Sequence, residues 1–277
     1  MSPTRSEIEK MLAERLEFLI GVGHDMRAPL TGIAGFAAVL AELDSVAADP
    51  TASEAAAYIR KEAQRLVEML NQLLDFGRVE QGGPDLDREP IDLIRMARQA
   101  VEPWAVRYPH VTFRLVDHGD AIVEGDFLKL HRVLANLLDN AVRHSPSAGT
   151  ITVEVGSDGV EAFLSVTDEG AGVPVADRER VFQRFVRLAG ANELSEEEKR
   201  GSGIGLYVVR GLVEAHGGSV SVEDSPMVEG SFERGTGARF VVKLPRGREE
   251  LSSHEDQGPA RGEHEAVGGK WATEGFQ

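Results

Sequence analysis

Cysteine is missing from all 277 residues. Its absence excludes a disulfide framework, thiolate zinc or iron–sulfur ligation and a cysteine nucleophile, and it fits a reducing compartment. Long apolar runs are missing too. The longest uncharged stretch, Ala28 to Ala41, contains Pro29 and falls short of the roughly 20 residues that a membrane-spanning helix needs. The first residues, MSPTRSEIEK, are charged and lack the apolar centre of a secretory signal. Positive charge is scarce: 30 Lys+Arg stand against 46 Asp+Glu, a formal net charge of −16. A field of that sign repels nucleic-acid phosphates and anionic lipid, and no basic patch offsets it. No nucleic-acid partner and no membrane insertion are expected, and the placement expected is cytoplasmic. What remains is an ordinary globular composition, 42% hydrophobic and 27% charged, with length for one large domain or two modest ones.

The N-terminal region reads as helical. Leu12, Leu16, Leu19, Gly23, Met26, Leu30, Ile33, Ala37 and Leu40 recur at alternating steps of four and three, the seam of a coiled coil or helical bundle. The small and acidic residues from Asp44 to Pro50 suit a turn, Ser53 is a candidate cap, and a second seam follows at Ile59, Ala63, Leu66, Leu70 and Leu73. Two antiparallel helices cannot cover both of their own apolar stripes, so residues 1–80 are expected to dimerise into a four-helix bundle. An ordinary buried helix pair in a monomer is the competing reading.

Residues 81–90, QGGPDLDREP, break the pattern with glycine and proline and read as a linker. Beyond them the expectation for residues 91–245 is a two-layer α/β sandwich, one sheet with helices on one face, so that the whole is α+β. Helices are expected at 91–107, 126–144, near 177–185 and at 204–215, with strands at 111–116, 121–124, 150–155, 160–167, 219–222 and 238–244. Residues 246–277 are polar with little apolar periodicity and are expected to form a disordered tail.

Several residue groups carry chemistry. His24 lies beside the first seam with Asp25 next to it and Pro29 five residues on. A carboxylate that takes the Nδ1 proton leaves Nε2 a free lone pair, which makes such a pair a candidate nucleophile; a surface histidine without a role is the bland alternative. Asn136 and Asn140 are four apart on a predicted helix, so their amide oxygens share a face and can meet hydrated Mg²⁺, with Arg143 and His144 as candidates for phosphate contacts. Asp168-Glu-Gly170-Ala-Gly172 follows an apolar strand, where glycines admit a flat ligand and the carboxylate can accept from an exocyclic amine. A calcium loop is the rival there, with too few ligands. Gly201-Ser-Gly203-Ile-Gly205-Leu206 opens a helix, where backbone N–H groups make an anion cradle.

Taken together, FLIGVGHDMRAPLTGI, LANLLDNAVRHSP, DEGAGVP, VFQRFVRL, GSGIGLYVVR and GTGARFVVKLP resemble the H, N, G1, F, G2 and G3 boxes of the sensor histidine kinases of two-component systems, in the family's order, from about Leu12 to Pro245. The resemblance implies a Bergerat-type ATP-binding domain with ATP and Mg²⁺ as cofactors, autophosphorylation, and transfer to an aspartate of a response regulator receiver domain. It implies that His24 is the phospho-acceptor and Asp25 its base or orienting carboxylate. It makes Asn140, with Asn136 helping, the Mg²⁺ ligand, and gives Arg143 and His144 the phosphates and Asp168 the adenine amino group. Gly170, Gly172, Gly203, Gly205 and Leu206 would shape the nucleotide pocket. ATP-hydrolysing relatives of that fold carry a Glu where this chain has Asn136, and an amide cannot take a proton from water, so slow hydrolysis is implied. Ala28 stands where the family commonly has Thr or Asn, which implies weak dephosphorylation of the regulator, and Ala238 replaces a frequent hydroxyl beside the adenine. Residues 188–199 suit a lid and 81–90 a hinge. With little chain before Leu12, either a separate sensor subunit or a longer parent protein is expected to supply the signal. A non-catalytic nucleotide-binding scaffold and an anti-sigma-type serine kinase are the alternatives.

Overall fold

The computed structural model describes residues 5–81, 83–188, 203–225, 237–247, 263–267 and 270–274. It divides into two compact units, Met1–Pro84 and Asp85–Gln277.

The first unit is a helical hairpin: α1 (Arg5–Ala41), the single turn α2 (Asp44–Ala47) and α3 (Pro50–Glu80). Helix α1 runs through Pro29, although that residue has no N–H for the Asp25 carbonyl. Asp49, and not Ser53, caps α3: its carboxylate accepts from the amides of Thr51 and Ala52, and Pro50 occupies the first turn, where a missing N–H does no harm. The helices are antiparallel, since Gly23 of α1 lies against Leu74 of α3 and Arg27 donates two hydrogen bonds to Asn71 Oδ1, at 3.1 and 2.8 Å. A Cβ on Gly23 would come within 2.7 Å of Leu74 Cδ2, so glycine sets how closely the helices approach. Ala37, Ala56, Ala63, Leu74 and Phe76 are buried between them, whereas Met26, Ile33, Leu40, Ile59 and Leu66, all from the two seams, are close to half exposed. One hairpin leaves that stripe uncovered.

The second unit is the α/β sandwich. Strand β1 (Glu89–Asp92) pairs antiparallel with β3 (Ile122–Gly125) in a small two-stranded sheet. It occupies the end of the expected linker: Pro90 reads as a breaker, yet proline is tolerated on a strand with one free edge. The main sheet has the order β6-β7-β5-β4-β2-β8-β9, built from β2 (Thr112–Asp117), β4 (Thr150–Ser157), β5 (Glu161–Thr167), β6 (Ser219–Asp224) and β7 (Ala238–Pro245), with β8 (Glu263–Val267) and β9 (Lys270–Glu274) at one end. Among the described strands, only β2 and β4 pair in parallel. The helices α4 (Leu93–Arg107), α5 (Phe127–His144) and α6 (Gly205–Ala215) pack on one face. Phe113, Leu115, Ile151, Val153, Leu164, Val166, Phe240 and Val242 alternate inward from the strands to meet Met96, Ala100, Leu134, Leu137, Val209 and Val213 of the helices. Asp92 and Asp126 cap α4 and α5 through their carboxylates.

Two expectations are corrected. The helix near 177–185 is instead a pair of 3₁₀ turns at Val175–Asp177 and Arg180–Phe182. This segment buries only Val181 and Phe182, too narrow an apolar stripe to hold a helix. The polar tail is not structureless throughout, because β8 lies antiparallel on β2, Val116↔Glu263 through Phe113↔Ala266, and β9 on β8. The free hydrogen-bonding side of β2 supplies main-chain partners that need no apolar pattern, and the Gly-Gly between the two strands in the sequence is a composition hairpins favour.

Candidate functional site

The site is assembled from the end of β5, the start of β7, the exposed side of α5 and the first turn of α6. Asp168 directly follows β5 and is only 2% exposed. Its Oδ1 accepts from the backbone amides of Gly170 (2.8 Å) and Ala238 (3.1 Å), and its own amide donates to the Ala238 carbonyl at 2.9 Å. Among the described residues Oδ2 has no partner, so a second acceptor lone pair remains for a donor from outside. Burial pushes the carboxyl above its usual range, against the pull of those two amides and of His144. Ala238, whose missing hydroxyl put an adenine-side contact in question, contributes its main-chain N–H.

Glycine is obligatory around this carboxylate. A Cβ on Gly237 would collide with the Asp168 carbonyl, and one on Gly170 with the His144 carbonyl. Strand β7 and the end of α5 thereby come as close to Asp168 as backbone allows. Gly237 is a site residue that the sequence reading passed over; its signal was the Gly-Thr-Gly before β7. Gly172 takes left-handed backbone (φ 74°) beside Gly237.

Helix α5 supplies the amide face. Asn136 Nδ2 donates to the Arg132 carbonyl at 3.0 Å, which turns Oδ1 toward Gly205: a Cβ there would lie 3.3 Å from that oxygen. Nothing among the described residues hydrogen-bonds the Asn140 side chain, one helical turn further on the same face. Arg143 Nε is held by Asp139 Oδ2 at 2.8 Å, and His144, in the last turn, is exposed. Gly203 (φ 69°) makes the turn into α6, with its carbonyl accepting from Phe185 N at 2.9 Å, and Gly205 and Leu206 begin the helix. The N–H groups of the first turn of a helix have no intrahelical acceptor, and here they open beside Asn136. Gly201, Ser202 and the expected lid, apart from its first residue Leu188, lie outside the described residues.

The structure thus brings together Asn136, Gly203, Gly205 and Leu206, and separately Asp168, Gly170, Gly172 and the main chain of His144, with Asn140 and Arg143 on the helix between the two groups. His24 and Asp25 belong to α1 in the other unit, and Asp25 is exposed. Chemically, the second unit offers a buried carboxylate for an amine, unpaired amide oxygens for a hard cation and helix-terminal N–H groups for phosphate. No cluster of three acidic or histidine side chains suited to a metal is present among the described residues.

Comparison with known proteins follows the same division. Residues 125–248 match the family described as histidine kinase-, DNA gyrase B- and HSP90-like ATPase, and residues 14–82 match the His Kinase A (phospho-acceptor) domain. The chain is 34% identical over 220 residues to the sensor protein IrlS of Burkholderia pseudomallei, covering 78% of this chain and 46% of that protein. It is 31% identical over 249 residues to the sensor histidine kinase WalK of Bacillus subtilis, covering 88% of this chain and 39% of that one. Among solved structures it is similar to full-length ShkA in complex with AMPPNP, with a TM-score of 0.61 and 26% identity over 83% of this chain and 45% of that chain. The chain spans less than half the length of these curated relatives.

Proposed function

The chain belongs to the two-component histidine kinases, joining a phospho-acceptor hairpin to an ATPase-type α/β domain, and from that premise we propose that it is an autophosphorylating kinase core that passes its phosphoryl group to an aspartate of a response regulator receiver domain. The observation that carries this reading is Asp168, a buried carboxylate with one oxygen held by two amides and the other left open at the end of a glycine-lined loop.

In this reading Asp168 Oδ2 accepts from the adenine amino group, and Gly170, Gly172 and Gly237 leave room for the flat base. Asn140 and Asn136 give amide oxygens to Mg²⁺, which neutralises charge on the phosphates. The opening of α6 at Gly203, Gly205 and Leu206 donates N–H groups to phosphate oxygens, with Arg143 and His144 beside them. His24 attacks the γ-phosphorus through Nε2, the bond from that phosphorus to the bridging oxygen breaks, ADP leaves, and the Nδ1 proton passes to Asp25. Phosphoryl transfer depends chiefly on positioning and charge neutralisation, so the residues above act mainly by holding the donor. Asn136 is unable to deprotonate water, which favours the histidine over hydrolysis. Since ATP is the donor, the reaction belongs in the cytoplasm. A homodimer through the exposed seam of α1 and α3 completes the core, and a sensor segment or separate sensor subunit supplies the signal.

The test is labelling with ATP carrying a labelled γ-phosphate in the presence of Mg²⁺. An acid-labile, base-stable adduct is expected on the wild-type chain, and none on His24→Gln. A folded, dimeric wild-type protein that takes no label would overturn the kinase reading in favour of a non-catalytic scaffold; a stable label on serine would favour the serine-kinase alternative.

A further inference from the structure

His216 follows α6 directly and is 3% exposed. Its Nδ1 lies 2.7 Å from the Leu212 carbonyl. A carbonyl only accepts, so Nδ1 carries the proton and Nε2 is left as an acceptor. That acceptor is used: the backbone N–H of Asp126 donates to Nε2 at 3.0 Å. Asp126 is the cap of α5. Its Oδ1 accepts from Lys129 N, and its Oδ2 pairs with the Lys129 ammonium and accepts from Asp87 N. Arg88 donates to the carbonyls of Glu124 and Ala215 at the same place. One imidazole therefore sits where the end of α6, the start of α5 and the segment entering β1 converge.

The two helices also meet at their other contact, where Asn136 Oδ1 faces Gly205. Along α5 the step from Asp126 to Asn136 is about 15 Å, and along α6 the step from Gly205 to His216 is about 16 Å, at 1.5 Å of rise per residue. The spans match and run in opposite directions. Between these two points both helices bury apolar side chains, among them Leu134, Leu137, Val209 and Leu212. Such packing sets the separation of two helices but has little directionality, whereas a hydrogen bond fixes their axial position.

We propose that His216 is a positioning residue for the nucleotide site: its bond to the Asp126 amide sets the register of α6 against α5, and so holds the glycine turn that opens α6 opposite the Asn136–Asn140 face. The inference deepens the reading of this unit as an ATP site and rests on it. Burial keeps His216 below the usual histidine range, and so neutral, with Arg88 and Lys129 also opposing its protonation and Asp126 favouring it.

Two substitutions in the full chain separate positioning from stability. His216→Gln retains an acceptor at the reach of Nε2 but loses the donor to Leu212; His216→Asn retains a donor at the reach of Nδ1 but loses the bond to Asp126. Each gives up one hydrogen bond, so their melting temperatures without nucleotide should fall alike. ATP with Mg²⁺, measured by calorimetry, should bind about tenfold more weakly to the Asn variant, the loss expected for one hydrogen bond of roughly 1.4 kcal/mol. The Gln variant should stay within about threefold of wild type. Amide hydrogen exchange at 205–209 without nucleotide should quicken in the Asn variant and not in the Gln variant. Equal affinities in both variants, or equal exchange, would overturn the proposal. Wild-type protein that binds no ATP would instead overturn the ATP reading, while the exchange comparison still decides the positioning role. If His216→Asn does not fold, His216→Ala, which loses both bonds, is compared with His216→Gln by the same calorimetry and exchange: weaker ATP binding and faster exchange at 205–209 in the Ala variant alone support the role, and equal values in the two variants overturn it.

Discussion

Asp168 illustrates how a binding residue works against the stability of the empty protein. Burial raises its pKa above the ordinary 3.8, so its contribution to stability is full below that value and is lost as pH rises through the folded pKa. An asparagine side chain at this position would keep an Oδ1 to accept from Gly170 and Ala238 without a buried charge, but would put an NH₂ where an acceptor is needed. The expectation for Asp168→Asn is therefore a melting temperature at neutral pH equal to or above wild type, together with a loss of ATP affinity of about 10- to 100-fold. Thermal melts and calorimetry on the same preparation check both halves; a variant that melts lower and binds ATP normally would contradict the assignment. The carboxylate itself was legible from its place between an apolar strand and two glycines. Gly237, 69 residues later in the chain, lies within the quoted GTGARFVVKLP, but its contact with Asp168 was not legible there, because the collision that forbids a side chain exists only once β5 and β7 lie side by side.

At the scale of elements, the helices and the central strands follow their apolar periodicity to within a few residues. The differences arise where something other than periodicity decides. Strand β1 is stabilised by its partner β3 across a proline, and β8 is held by the open side of β2. The 3₁₀ turns form where two buried residues are too few for a helix, and the cap of α3 falls to Asp49 because Pro50 starts the helix earlier than the apolar seam does. Pro29 is the converse case, a residue unfavourable by about 3 kcal/mol in a helix interior, set in a helix that continues through it. Pro29→Ala should raise the melting temperature of the protein, as read by helical dichroism, and should slow labelling of His24 if the missing bond at Asp25 loosens the backbone next to the acceptor. Unchanged labelling with higher stability would show the proline to have no part in the transfer.

For the whole molecule, the uncovered seam is the main energetic feature. Ile33 and Leu66 are each 47% exposed on a single chain, so replacing both with Asp removes little from the hairpin's own packing but places charge in the centre of the proposed bundle. The wild type is expected to sediment as a dimer and the double variant as a folded monomer, and a variant that remains dimeric would place the interface elsewhere. The net charge of −16, which argues against nucleic acid, is compatible with an anionic nucleotide because the candidate site offers helix-terminal N–H groups and amide oxygens, together with Arg143 in its pair with Asp139.

The hairpin of β8 and β9 has a practical consequence for anyone shortening the chain. The ATPase-family match ends at residue 248, which invites a cut there. That cut would remove the strand lying on Phe113–Val116 and turn a covered sheet margin into a template for a neighbouring molecule. A truncated preparation would therefore be expected to be more prone to precipitate during concentration than the intact one, for a reason unrelated to its active site.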